Sequence, residues 1–218
     1  MADAPVRPTH TDSRDPFAKM DSGAMAMTVF LISLGALFAA TMIGYFIVMW
    51  KFASEREVAD HMQDGPRVLD AVNLPPLPIL LWVSTGVILL SSVTLQWARN
   101  AVRKDDQSGL RLGVLLTLIL GLVFLVLQTI CWYQWKESIQ PILDEKESTF
   151  AAASFFVLSG VHALHVIGGL IPLLVIAVKT WTGAYTAARQ SAIRNITMYW
   201  HFLDVVWVVM FICLLLVG

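Results

Sequence analysis

The chain has 218 residues, 57% of them hydrophobic and 14% charged, with a net charge of −1. Soluble domains carry about a quarter charged residues, so this balance excludes an ordinary water-facing globule. A net charge near zero gives no reason to expect a nucleic-acid partner.

The first 24 residues are polar, contain prolines and lack apolar periodicity, which predicts a disordered tail over 1–24 ahead of a membrane domain over 25–218. A secretory signal would place a short apolar core soon after the initial charges. Here the first apolar block comes late and is long enough to span. A spanning helix needs about 20 apolar residues, and five blocks qualify: Ala26–Trp50, Ile79–Trp97, Leu112–Tyr133, Ala151–Val178 and Thr197–Val217. The fourth is long enough that it must tilt or project. No barrel-like alternation appears, so the predicted fold is all-α, a bundle of five transmembrane helices.

In the first block, Ala36, Ala40 and Gly44 recur at four-residue spacing beside Gly35 and Ala39, a pattern that predicts close helix packing. The connection that follows ends in NLPPLP (73–78), whose prolines predict an extended approach to the second helix. The two cysteines, Cys131 and Cys213, lie in apolar blocks, form no metal spacing and read as small buried hydrophobes.

Ten of the 15 Lys and Arg residues lie in the N-terminal tail and in the second and fourth connections. By the positive-inside rule the N-terminus is then cytoplasmic and the C-terminus outside. Arg99, Arg103, Lys104 and Arg111, all on that basic side, are candidate lipid-headgroup contacts, although topology alone also accounts for them.

Polar side chains inside the spans are the candidate functional residues. In the fourth helix Ser159, His162 and His165 share one face, and Gly169 continues the row. In the fifth, within "YWHFLDVVW" (199–207), His201 and Asp204 share a face, while Trp200, Asp204 and Trp207 follow i, i+4, i+7. Gln128 and Thr129 add polarity in the third.

Two histidines on different helices could ligate haem, and a His–Asp pair could relay protons. Alternatively, the same groups could satisfy one another across the contact between the fourth and fifth helices and fix its register. A bis-histidine site needs ligands on two helices at matched depth, and only one cross-helix combination meets that. Beyond Asp204 the fifth helix runs VVWVVMFICLLLVG, which offers no onward proton path. Both features favour a structural role. Burial favours a neutral Asp204 carboxyl and a nearby cation an ionised one; the sequence leaves that open.

"GVHALHVIGGL" (160–170) followed by "YWHFLDVVWVVMF" (199–211) resembles subunit III of the haem–copper oxidases, which include cytochrome c and quinol oxidases. "PILLWVSTGVILLSSVTLQWA" (78–98) and "LRLGVLLTLILGLVFLVLQTICW" (110–132) are similar to the second and third helices of the five-helix form. The resemblance implies an accessory subunit without haem or copper, which subunits I and II hold. It also implies packing beside subunit I and other oxidase subunits, bound phospholipid, and support of proton uptake and turnover stability. Further expectations are a bacterial inner-membrane location and a respiratory supercomplex as a further candidate partner. His162, His165, His201, Asp204, Trp200 and Trp207 match its motif positions.

The chain departs from the family pattern at two sites: Leu34 stands where many members have a glutamate, and Cys131 where many have a second carboxylate. An accessory protein of nitric oxide reductase shares the fold and is the alternative. A membrane haem protein using the histidines directly is a third reading. The electron donor, cytochrome c or quinol, is read by other subunits.

Overall fold

In a computed structural model, residues 22–61, 79–139, 146–183, 185–186 and 190–217 are described. Five helices follow in order: α1 (Ser22–His61), α2 (Leu80–Arg103), α3 (Gln107–Ile139), α4 (Lys146–Trp181) and α5 (Ser191–Val217). Each contains a stretch long and apolar enough to cross a membrane, from Gly23–Lys51 in α1 to Ser191–Leu215 in α5, as the five blocks predict.

The helices overrun the apolar blocks. α1 begins at Ser22, within the segment expected to be tail, and continues past Lys51 to His61. The physical reason lies in the sequence KFASEREVADH, which contains good helix formers and neither proline nor glycine, so nothing ends the helix where the apolar block ends. The rest of the expected tail and the NLPPLP approach lie outside the described residues.

α2 and α3 form the most intimate pair, and a short turn aligns them. The amides of Lys104 and Asp106 return to the Ala101 carbonyl, both at 3.0 Å, and that of Asp105 returns to Val102 at 3.2 Å. Asp105 takes a left-handed backbone (φ 56), which aspartate tolerates better than most residues. The Asp106 carboxylate then accepts from the amides of Ser108 (3.1 Å) and Gly109 (3.0 Å), capping the start of α3. Small residues Ala98 and Ala101 are buried in the pair, and the Thr94 and Thr117 hydroxyls bond across it at 2.8 Å.

α4 and α5 occupy the centre, with the α2–α3 hairpin on one side and α1 on the other. Of the spanning window, 56% is buried in α5 but only 11% in α1, so α1 is the peripheral helix. It packs through Leu34, Phe38 and Tyr45, and Gly35 faces the Phe202 ring. The small-residue row expected to make close contacts does not do so: Ala36, Ala40 and Gly44 are exposed, and a Cβ on Gly44 would meet nothing within 4 Å. The larger apolar residues on the opposite face fix the rotation of α1 and turn that row outward.

Removing the Asp106 cap leaves two amides at the start of α3 without acceptors. Asp106→Ala should lower stability by about 1 kcal/mol, read as a lower melting midpoint of the detergent-solubilised protein.

Candidate functional site

The polar residues at membrane depth gather where α5 meets α2. The Trp200 indole N–H donates to the Ser91 hydroxyl at 2.9 Å, and the Trp207 indole donates to the Thr85 hydroxyl at 3.0 Å. His201 lies between these layers. Its Nδ1 meets the Ser92 hydroxyl and its Nε2 lies 3.2 Å from Gln96 Oε1. An imidazole carrying its proton on Nε2 satisfies both contacts, donating to the Gln96 carbonyl and accepting from Ser92. Gln96 in turn donates to Asn100 at 3.3 Å. Asp204 lies 4.0 Å from His201 Nδ1, within ion-pair range but beyond a hydrogen bond. Ser92 also neighbours the carboxyl, yet neither carboxyl oxygen completes a hydrogen bond among the described residues.

The partner helix differs from the one expected. His201 bonds to α2, and among the described residues neither it nor Asp204 bonds to His162 or His165 on α4. Each residue advances about 100° around a helix, so His201 sits well round α5 from Trp200, on the flank that α2 covers. The α2 residues that complete the seam, Thr85, Ser91, Ser92 and Gln96, escaped the sequence reading. Their signal was present: hydroxyl and amide residues recur at helical spacing along an otherwise apolar segment.

α4 and α5 are joined instead by aromatic packing. His162 is fully buried, with Trp207, Phe124 and Phe38 ring centroids at 5.0, 6.0 and 6.1 Å. Neither of its ring nitrogens has a hydrogen-bond partner among the described residues, and the same holds for the buried Gln128 amide. His165 turns Nδ1 to the Val161 carbonyl at 2.7 Å and packs on Phe38, while the Tyr199 hydroxyl donates to the His165 carbonyl at 2.8 Å. Glycine makes the approach of α5 possible. A Cβ on Gly169 would fall 2.7 Å from the Tyr199 ring, and one on Gly121 would fall 3.1 Å from Trp200.

This geometry bears on the haem reading. Both nitrogens of His201 are already engaged on α2, while His162 keeps its nitrogens unpartnered among the described residues but is enclosed by three aromatic rings. Among the described residues, no group of three or more His, Cys, Asp or Glu is arranged to hold a metal.

At the end of the bundle where α1 starts, the four candidate headgroup residues separate. Arg111 donates from Nε to the Thr180 carbonyl at 3.1 Å and lies 5.5 Å above the Trp181 ring, so it is engaged at the end of α4. Arg103 and Lys104 are exposed, and Arg99 is half-buried with its Nε lacking a hydrogen-bond partner among the described residues. A groove of about 770 Å³ opens between α1, α4 and α5. Phe30, Leu164, Ile171 and Ile196 line its walls, with Lys179 and Asn195 toward that same end. Tyr185 also lines it, and burial raises its phenol pKa, so the hydroxyl stays protonated.

Comparison with known proteins gives a consistent result. The family described as cytochrome c oxidase subunit III matches residues 9–218. The chain is 35% identical over 130 residues to cytochrome c oxidase subunit 3 of Corynebacterium diphtheriae, covering 60% of this chain and 62% of that protein. It is 30% identical over 167 residues to cytochrome bo(3) ubiquinol oxidase subunit 3 of Pseudomonas aeruginosa, covering 77% and 76%. With cytochrome c oxidase subunit 3 of Rattus norvegicus it shares 28% identity over 189 residues, 85% of this chain and 66% of that one.

Gly169→Leu should separate α4 from α5, because the added side chain meets the Tyr199 ring rather than a flexible chain end. A loss of about 1–3 kcal/mol is expected from such overpacking, checked as reduced thermal stability in detergent.

Proposed function

The chain belongs to the cytochrome c oxidase subunit III family, and we propose that it serves as an accessory subunit of a respiratory haem–copper terminal oxidase. In this reading it carries no haem or copper itself and packs beside subunit I, the haem-bearing catalytic subunit. It lies in the bacterial cytoplasmic membrane with its N-terminus inside, the side on which its Lys and Arg residues concentrate.

The observation that carries this reading is the use of the intramembrane polar groups. His201, Trp200 and Trp207 bond to α2 side chains and so serve as interhelical joints. A haem held between α4 and α5 would need His201 released from these bonds. The relatives named above are oxidase subunits, which favours this assembly over the nitric oxide reductase alternative.

Phospholipid is the second element of the proposal. The groove between α1, α4 and α5 has apolar walls matching acyl chains and a cationic end at Lys179 matching a phosphate. Support of proton uptake and of stability during turnover is the third element of the proposal; the oxidase depleted of this chain should keep its haem spectrum and lose activity progressively as it turns over.

The first test is to tag the chain in its host, extract it gently and record the spectrum of what co-purifies. Haem and copper should arrive only with larger partner chains; a haem spectrum that stays with this chain alone would overturn the reading. For the groove, Lys179→Glu should reduce the acidic phospholipid retained by the purified complex in native mass spectrometry. Unchanged retention would remove Lys179 as the headgroup contact.

A further inference from the structure

Two buried polar side chains are left over from the interhelical joints. His162 on α4 is fully buried, and Gln128 on α3 is only 1% exposed. Neither imidazole nitrogen of the one, and neither amide atom of the other, has a hydrogen-bond partner among the described residues. Unpaired polar groups of this kind are uncommon in a folded interior, because each carries the full cost of its desolvation. Their burial also restricts what can complete them. Neither lipid nor another subunit reaches either side chain, so the completing group is small and internal to the bundle.

The two groups lie level with each other across the α3–α4 contact. These helices run antiparallel, and the Trp132 indole N–H marks their register by donating to the Ser159 hydroxyl at 3.1 Å. Further along, a Cβ on Gly121 would fall 2.9 Å from the Leu170 side chain. Gln128 stands one turn from Trp132, and His162 one turn from Ser159, both on the side of the Gly121–Leu170 contact. Phe124, a further turn along the Gln128 face, meets the His162 ring edge-on with centroids 6.0 Å apart. Three residues from the pair on each helix stand the short buried side chains of Ser159 and Cys131.

A neutral imidazole offers one N–H and one lone pair, and a primary amide offers N–H donors and a carbonyl oxygen. A single water, which both donates and accepts, can bond to the two side chains at once. Internal waters sit at such places, making about three hydrogen bonds to buried groups that lack other partners. The chemistry suits a cation less well, since among the described residues no group of three or more His, Cys, Asp or Glu is arranged to hold one.

We propose that His162 and Gln128 together hold an ordered internal water that joins α3 to α4 inside the membrane. The water turns an otherwise aromatic contact into a polar joint, as the indole and imidazole bonds do between α5 and α2. It belongs to the folded chain and needs no partner subunit to form.

The test is made first on the unmodified chain in its native assembly. A cryo-electron microscopy map that resolves ordered water elsewhere in the assembly should show a peak within hydrogen-bond distance of both a His162 ring nitrogen and the Gln128 amide. An imidazole bonded directly to the amide, or no peak between them in such a map, overturns the proposal. Thermal unfolding of the detergent-solubilised assembly gives a second readout. His162→Phe and Gln128→Met should each lower the melting midpoint, because each leaves the other group buried with one bond fewer. Combining them should lower it by less than the two single shifts together, since no polar group is then left over. Additive shifts overturn a shared water. Where a variant fails to assemble, the map of the unmodified chain decides.

Discussion

An indole or imidazole N–H at membrane depth has no water to receive its hydrogen bond, and the architecture follows from where that bond is made. Trp200, His201 and Trp207 all make it to α2. Trp200 and Trp207 on one face of α5 and His201 on its flank, all bonded to acceptors along one antiparallel neighbour, fix both the rotation of α5 and its axial register against α2. Each such bond is worth roughly 0.6 kcal/mol on average in a membrane protein. Their value is therefore mainly in specificity: sliding α5 along α2 would leave several donors unpaired at once. With α5 fixed, the Tyr199 and Trp200 rings meet Gly169 and Gly121, and α4 and α3 are set in turn.

The number, order and approximate position of the helices were legible in the sequence because lipid imposes a length of apolar chain that hydropathy alone reveals. Helix ends were less so. The Lys51–His61 segment carries charges that read as loop, yet helix propensity continues where hydropathy stops. The polar residues of α5 were identified, but their partners were not. Periodicity along one helix gives the face a residue occupies, not which of four neighbours that face meets. The same blindness made Ala36, Ala40 and Gly44 look like a packing seam when they face outward.

The two departures from the family pattern acquire a physical setting. Leu34 and Cys131 are both almost fully buried in the hydrophobic core. A carboxylate at either position would need a partner to offset its desolvation, whereas leucine and cysteine pack without one. His162 and Gln128, buried and lacking hydrogen-bond partners among the described residues, remain as polar groups in that interior. Neither position offers a carboxyl group, and both side chains pack within the core.

The peripheral place of α1 has a consequence for biogenesis. α2 and α3 are joined by a turn so short that they can pair as soon as both have entered the membrane. α1 makes its contacts with α4 and α5, which lie beyond that hairpin in the chain. Its non-local pairings carry the greater entropy of loop closure. α1, synthesised ahead of its partners, is thus left waiting in the bilayer until α4 and α5 arrive, and the contacts around it close after the hairpin has formed.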